Sequence, residues 1–373
     1  MRTKKSIGIA AVVTAAAIAL TGCASQSPSA SASAGNGGSA SGARVKIGFV
    51  VHVLGDPFIQ QIIDGAKAAA ADENVDLQVT GPTDGSADTQ LKQIQNLVAA
   101  GVQGIATSVK AASMTSTLNQ IVDSGVPVVQ FNMGQKGVKA PYVGEAATQA
   151  GRILAQKVLD KLGGTSATGK VLLGNCFPGD PSLDERGAGA QEVFKTAPGI
   201  KVLGQFDVKV AANVNYASWE ALLAANPDAK ALIGLCAPDV TSLGKLQAAN
   251  PQTRFVAGGF DLTTQNLEQI ANGDAYVSLG QSAFAQGYLP VKILADAIRN
   301  HIDLSKGGFI NAGTEIVTKD SVEEPNGLPA LSFGDLQKMA ASPEVTRKYY
   351  QPAIDSYYHD WQSHVEPIAN VTK

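Results

Sequence analysis

The sequence has few of the patterns that mark catalysis. Its four histidines are scattered and never form HExxH, no GxGxxG follows the first strand-like run, and there is no P-loop. No nucleophile stands in pattern with a base. These absences weigh against an enzyme, including a nucleotide-dependent one, and no cofactor is expected. His359 and His364, five apart near the C-terminus, read as a solvated helix face and not as a metal pair. Charged residues make up only 16%, with no basic stripe to follow a nucleic-acid backbone and no amphipathic lipid-binding helix that stands out. The apolar stretch Ile7–Leu20 is shorter than the roughly 20 residues of a comfortable membrane span.

That stretch fits an export signal instead, because Arg2, Lys4 and Lys5 precede it and Leu20-Thr21-Gly22-Cys23 follows. The last four residues resemble a bacterial lipobox, which implies cleavage before Cys23 and a lipid on its thiol. Residues 1–22 are then a signal peptide, and 23–43, mostly Ser, Ala and Gly, a flexible tether to the cell membrane. The remaining protein carries 26 Lys and Arg against 32 acids, formally −6. Cys176 and Cys236 are left as an even pair in a compartment that permits disulfides, and two readings stay open: a bridge or two buried thiols.

At 373 residues, 45% hydrophobic with 39 Gly, the chain is long enough for two domains. From Arg44 it repeats a short apolar run, a loop and a helical pattern. VKIGFVV, DLQVT, GIATSV, VPVVQF and PYVG form one set; KVLLGN, KVLGQF, ALIGLC, RFVAGGF and AYVSLG form another. Near-continuous apolar runs are those of parallel strands covered on both faces. Helical stretches such as TQLKQIQNLVAAG lie between them, with Leu91, Ile94, Leu97 and Val98 on one stripe and Gly101 as a C-cap. The expected fold is α/β, with two similar Rossmann-like lobes of parallel strands that divide near Gly144-Glu145. QSAFAQGYLPVKILADAIRN adds a long helix and FINAGTEIVTK an extended segment. A helical C-terminal extension follows: Ser342-Pro343-Glu344 starts a helix, Pro352 should break or restart it, and four tyrosines and Trp361 should pack the tail across the lobes.

In open α/β sheets ligands bind beyond the carboxyl ends of the strands. Those ends carry Gly55-Asp56-Pro57-Phe58, Thr107-Ser108, and Asn132-Met133 in the first set. In the second they carry Cys176-Phe177 and the following PSLDERGAGA, then Cys236 to Asp239, Gly259-Phe260-Asp261, and Gly280-Gln281-Ser282. Short acids, amides, one Arg and aromatic rings suit a neutral polyhydroxylated molecule.

The chain resembles the type I solute-binding proteins, in the ribose/galactose-type sugar-binding branch that serves ABC importers. The resemblance spans roughly Arg44 to Lys319 and rests on GDPF, DERGAGA, GGFD and GQSAFAQG in that order, with Asp261 and Gln281 twenty residues apart. It implies two lobes joined by a hinge: 44–144 with 282–312, and 145–281 with 313–320, followed by the extension 321–373. It also implies that Phe58 covers a sugar face, that Arg186 donates to sugar oxygens, and that Asp261 and Gln281 bind hydroxyls. Asp56 stands where ribose binders have Asn, Ser108 where they have Asn, and Asn132-Met133 where they have Asp-Arg. A monosaccharide other than ribose, a deoxysugar or a polyol fits those departures. Phe206 is a candidate for the opposite-face ring only if a short insertion follows it.

Bland alternatives stand beside these roles. Asp56 and Asp261 could cap helices, Arg186 could pair with Asp184 or Glu185, Trp219 belongs to the core, and Asp180 belongs to a turn. The resemblance implies a monomeric lipoprotein that hands its ligand to an ABC permease by hinge closure, without nucleic acid. The alternative is a receptor of the same fold that feeds a membrane signalling protein. A DNA-binding regulator of this fold is disfavoured by the export signal and by the missing DNA-binding helices.

Overall fold

The computed structural model describes residues 44–323 and 332–368. Cys23, with the signal peptide 1–22 and the tether 23–43, lies outside the described residues.

The chain begins with β1 (Val45–Val50), α1 (Pro57–Asp72), β2 (Val75–Thr80), α2 (Ala87–Ala99), β3 (Gly104–Thr107), α3 (Thr115–Asp123), β4 (Val128–Phe131) and β5 (Tyr142–Gly144). It then crosses into α4 (Ala147–Leu162), β6 (Gly169–Asn175), α5 (Pro181–Phe194), β7 (Ile200–Asp207), α6 (Ala212–Ala225), β8 (Ala229–Gly234), α7 (Asp239–Ala249), β9 (Val256–Phe260), α8 (Thr264–Asn272) and β10 (Val277–Leu279). The long α9 (Ala283–Asn300) and β11 (Phe309–Asn311) return to the first half, and β12 (Ile316–Thr318) and β13 (Val322–Glu323) to the second. Helices α10 (Phe333–Ala341) and α11 (Pro343–Ala353) complete the chain, with a π-helical turn at Ile354–Tyr358 and a 3₁₀ turn at Trp361–His364.

One sheet runs β11-β5-β4-β3-β1-β2 with every pairing parallel. The other runs β13-β12-β10-β9-β8-β6-β7, parallel except where β12 and β13 join antiparallel at one edge. The strands are apolar on both faces because helices cover both: β3 and β4 are buried throughout. Three segments pass between the sheets, at Glu145, at Gly280 to Ser282 and at Ala312 to Glu315. All three acquire a role at the site.

The local signals account for most helix ends. Asp56 caps α1 by accepting from the amides of Phe58 and Ile59, with Pro57 at the first helical position. Asp180 caps α5 in the same way, a larger role than a turn. Gly101 follows the C-cap of α2 with φ 82°, a left-handed conformation that glycine adopts without steric cost. Pro352 does not break α11, which runs one residue past it to Ala353 and then widens into the π-helical turn. The widening fits the loss of a backbone donor near the helix end. Trp219 is fully buried in the core around the second sheet. Tyr350, Tyr358 and Trp361 are buried against the first lobe.

Candidate functional site

The carboxyl ends of the two sheets face each other, and between them lies a buried polar cluster. Arg186 projects from α5 and is 4% exposed. Its Nε and Nη2 stand 2.8 and 2.7 Å from Glu145 Oε2, and its Nη1 donates to the Leu235 carbonyl at 2.9 Å. The guanidinium carbon lies 4.0 Å from the Phe260 ring centroid, a stacked contact that suits a delocalised cation. The alternative pairing of Arg186 with Asp184 or Glu185 is not observed.

Two glycines bring Arg186 this close to the crossing. A Cβ on Gly151 of α4 would stand 1.9 Å from the Arg186 carbonyl oxygen, and one on Gly189 of α5 would stand 2.0 Å from that of Thr148. Helices α4 and α5 therefore touch backbone to backbone, and α5 carries Arg186 up against Glu145.

Asp261 follows β9 in the left-handed region, φ 74°, which is uncommon for a residue with a side chain. Asn266 holds it there. Its Nδ2 lies 3.0, 3.0 and 2.9 Å from the carbonyls of Ala237, Phe260 and Asp261. The Asp261 carboxylate accepts a hydrogen bond from Gln281 Nε2. Burial raises its pKa to about 7, although Arg186 pulls in the opposite direction. Burial also raises the pKa of Glu145 against the pull of Arg186. Asp56 lies close enough to add to the repulsion felt by Asp261. Of its two readings the structure shows the cap of α1.

Ser108 is fully buried, with Oγ 3.3 Å from His52 Nδ1. Burial, aided by the charge of Lys110, lowers the His52 pKa from 6.5 to about 4, so the ring is neutral at pH 7. Asn132 turns the chain beyond β4 with φ 61°, and its carbonyl accepts from the Tyr142 hydroxyl at 2.7 Å. Met133 beside it is half-buried. Lys110 reaches toward the other lobe, with Nζ 5.1 Å from the centre of the Phe177 ring, which is 51% exposed.

Phe58 is 8% exposed and belongs to the core around the first sheet. It also walls a small cavity of about 50 Å³ shared with Gln281, Glu315, Leu336, Met339 and Tyr350. Phe206 packs half-buried against the core of the second lobe.

Asp239 departs from its expected role. It is fully buried, and its carboxylate accepts from Asn215 Nδ2 at 2.7 Å, Trp219 Nε1 at 2.8 Å and the Cys236 amide at 2.9 Å. With both oxygens engaged internally, Asp239 braces the end of β8. Cys176 and Cys236 are joined by a disulfide across the neighbouring ends of β6 and β8.

The cluster thus unites Arg186, Asp261 and Gln281, and sets Ser108, Asn132 and Met133 on the facing sheet edge. Sequence reasoning missed Glu145, His52, Lys110 and Glu315. Glu145 had a signal, an acid at the point where the two strand sets divide. Among the described residues no group of His, Cys, Asp and Glu is placed to hold a metal ion.

Two α/β lobes that face each other through their strand ends, over a buried cluster of polar side chains, define a two-lobed solute-binding protein. The family described as the periplasmic binding protein domain matches residues 47–301, and the chain belongs to it. It is 21% identical over 306 residues to the xylose/arabinose-binding protein XylF of Sulfolobus acidocaldarius, across 74% of this chain and 72% of that one. It is 25% identical over 298 residues to a putative rhizopine-binding protein of Rhizobium meliloti, across 75% and 92%. Among solved structures, an ABC transporter solute-binding protein from Burkholderia graminis, in complex with D-arabinose, has a TM-score of 0.68 at 26% identity, covering 74% of this chain and 96% of that one. The glucose-galactose-binding protein GanP of Geobacillus stearothermophilus has a TM-score of 0.68 at 21% identity, covering 74% and 98%.

Proposed function

We infer that this protein is the substrate-binding lipoprotein of an ABC importer and that it captures a monosaccharide, a deoxysugar or a polyol. The observation that carries this reading is the buried set of Arg186, Asp261 and Gln281 between the lobes. A guanidinium, a carboxylate and a primary amide offer donors and acceptors at fixed angles, as neighbouring hydroxyls on a sugar ring require. The relatives support it: their names and complexes involve xylose, arabinose, glucose and galactose.

The ligand binds between a lobe of residues 44–144 with 282–312 and one of residues 145–281 with 313–320. Closure about the three crossings then buries it. Because buried hydroxyls all need partners, analogues that leave one polar group unpaired are rejected at a cost of about 1–3 kcal/mol each. The closed, loaded form is delivered to the permease by a monomer that lipid on Cys23 holds at the outer face of the membrane. Binding and release are the whole task; no chemistry is performed on the sugar.

A thermal-shift screen against neutral monosaccharides, deoxysugars, polyols and cyclitols tests the reading. A true ligand at 100 times its Kd adds roughly 2.7 kcal/mol of stability. A panel without any stabilising compound, or a sugar chemically changed on incubation, contradicts it.

A further inference from the structure

We propose that helices α10 and α11 form a strap across both lobes, which holds the ligand-free protein toward its closed form and must loosen for the cleft to open. The proposal rests on the two-lobed fold and its crossings, and does not depend on which ligand is bound.

The two helices are adjacent in the chain, yet their fully buried residues belong to different cores, and Met339 of α10 also packs half-buried against the first. On α10, Leu336 is 3% exposed and lies in the core of the second lobe, with Phe333 and Ala340 packed beside it. Helix α10 rests on α8 of that lobe. On α11, Tyr350 and Ala353 lie in the core of the first lobe, and the turns that follow add Tyr358 and Trp361. Arg347 fixes α11 to α1 through Asp72, at 2.6 and 2.8 Å, and Trp361 Nε1 donates to Asp296 of α9 at 2.9 Å. Only Ser342 separates the two helices. A rotation of one lobe away from the other must pull α10 off α8, pull α11 off α1, or bend the chain at Ser342 and lift Met339 off the first lobe.

The strap also touches a crossing directly. Tyr350 stacks on Phe284 with ring centres 4.8 Å apart, and its hydroxyl donates to Glu315 Oε1 at 2.9 Å. The same carboxylate accepts from Ser282 Oγ at 2.8 Å and from the Ser282 amide at 2.9 Å. One buried carboxylate therefore ties two of the three crossings to α11. Gln281, which donates to Asp261, is the next residue along that crossing. Leu336, Met339 and Tyr350 wall the cavity that also touches Phe58 and Gln281, so the strap covers the hinge side of the cleft.

The test is hydrogen exchange on the ligand-free full chain, comparing wild type with Leu336→Ala and Tyr350→Phe. Leu336→Ala weakens the hold of α10 on the second lobe, and Tyr350→Phe removes a single oxygen at the crossing. In at least one variant, segments 143–148, 259–263 and 280–283 should exchange at least about tenfold faster, while β3 and β8 keep wild-type rates. Unchanged rates at those three segments in both variants overturn the proposal. Faster exchange spread equally over β3 and β8 also overturns it, since the helices would then support the fold in general and not the closed state.

Discussion

Arg186 and Glu145 form an ion pair at 2.7 Å, with side chains 5% and 3% exposed, between α5 of one lobe and the first crossing. A buried pair of this kind is a poor source of net stability, but removing one partner leaves an uncompensated buried charge. Arg186→Met should therefore destabilise the protein by roughly 3–5 kcal/mol, and Glu145→Gln in the same chain should recover part of that loss. A double-mutant cycle in urea measures the coupling. The same coupling cautions against Arg186→Ala alone as a test of binding, because lost stability and lost affinity would be confounded.

The raised pKa of Asp261 predicts a pH effect on the ligand-free protein. The carboxyl is protonated more readily when folded, at about 7, than in the unfolded chain, near 3.8. The folded state then binds more protons across that interval, so stability falls as pH rises toward 7. Asp239, raised to about 6, acts with the same sign. His52, lowered from 6.5 to about 4, acts oppositely, adding stability as pH rises between those values. Above pH 6.5 the gain from His52 tapers off as the unfolded-state imidazole loses its remaining protons, and most of the contribution of Asp239 is already lost, so the effect of Asp261 prevails. Melting between pH 6.5 and 7.5 should therefore show stability declining, and Asp261→Asn should flatten the slope.

The Cys176–Cys236 bond closes a separation of 60 residues within one lobe. Loop-closure entropy alone puts its worth at about 4 kcal/mol, and measured values commonly fall between about 2 and 4. The pair Cys176→Ser with Cys236→Ser should lose that much in chemical denaturation. Reductant should have the same effect on the wild type and none on the variant.

Gly151→Ala tests how Arg186 is placed. Its Cβ would meet the Arg186 carbonyl oxygen at 1.9 Å, so α4 and α5 must separate. Overpacking of this kind costs typically about 1–3 kcal/mol. Ligand affinity should fall as well, although Gly151 offers the ligand no side chain. Unchanged affinity would show that Arg186 tolerates the shift.

Much of the fold was legible because parallel strands covered on both faces leave apolar runs that need no long-range information. The ten strand-like runs from VKIGFVV to AYVSLG correspond to β1 through β10. Asp261 and Gln281 were legible as a pair through their motifs. The internal bracing by Asp239 was not legible, since an acid after a strand looks the same whether it faces a ligand or accepts from Trp219 and Asn215. Glu145 was visible as a boundary but not as the partner of Arg186, which is 41 residues away in sequence. The extension was the least legible part. Its decisive contacts, Arg347 to Asp72 and Tyr350 to Glu315, span 275 and 35 residues and follow no local pattern.

Calorimetric titration of the sugar that gives the largest thermal shift measures whether Arg186 and Asp261 hold the ligand. It should be run on the wild type, on Asp261→Ala and on the double variant Arg186→Met with Glu145→Gln. The wild type should show one site per chain with micromolar affinity, about −8 kcal/mol, and neither folded variant should give measurable heat. Equal affinity in all three proteins would contradict a role of Arg186 and Asp261 in holding the ligand.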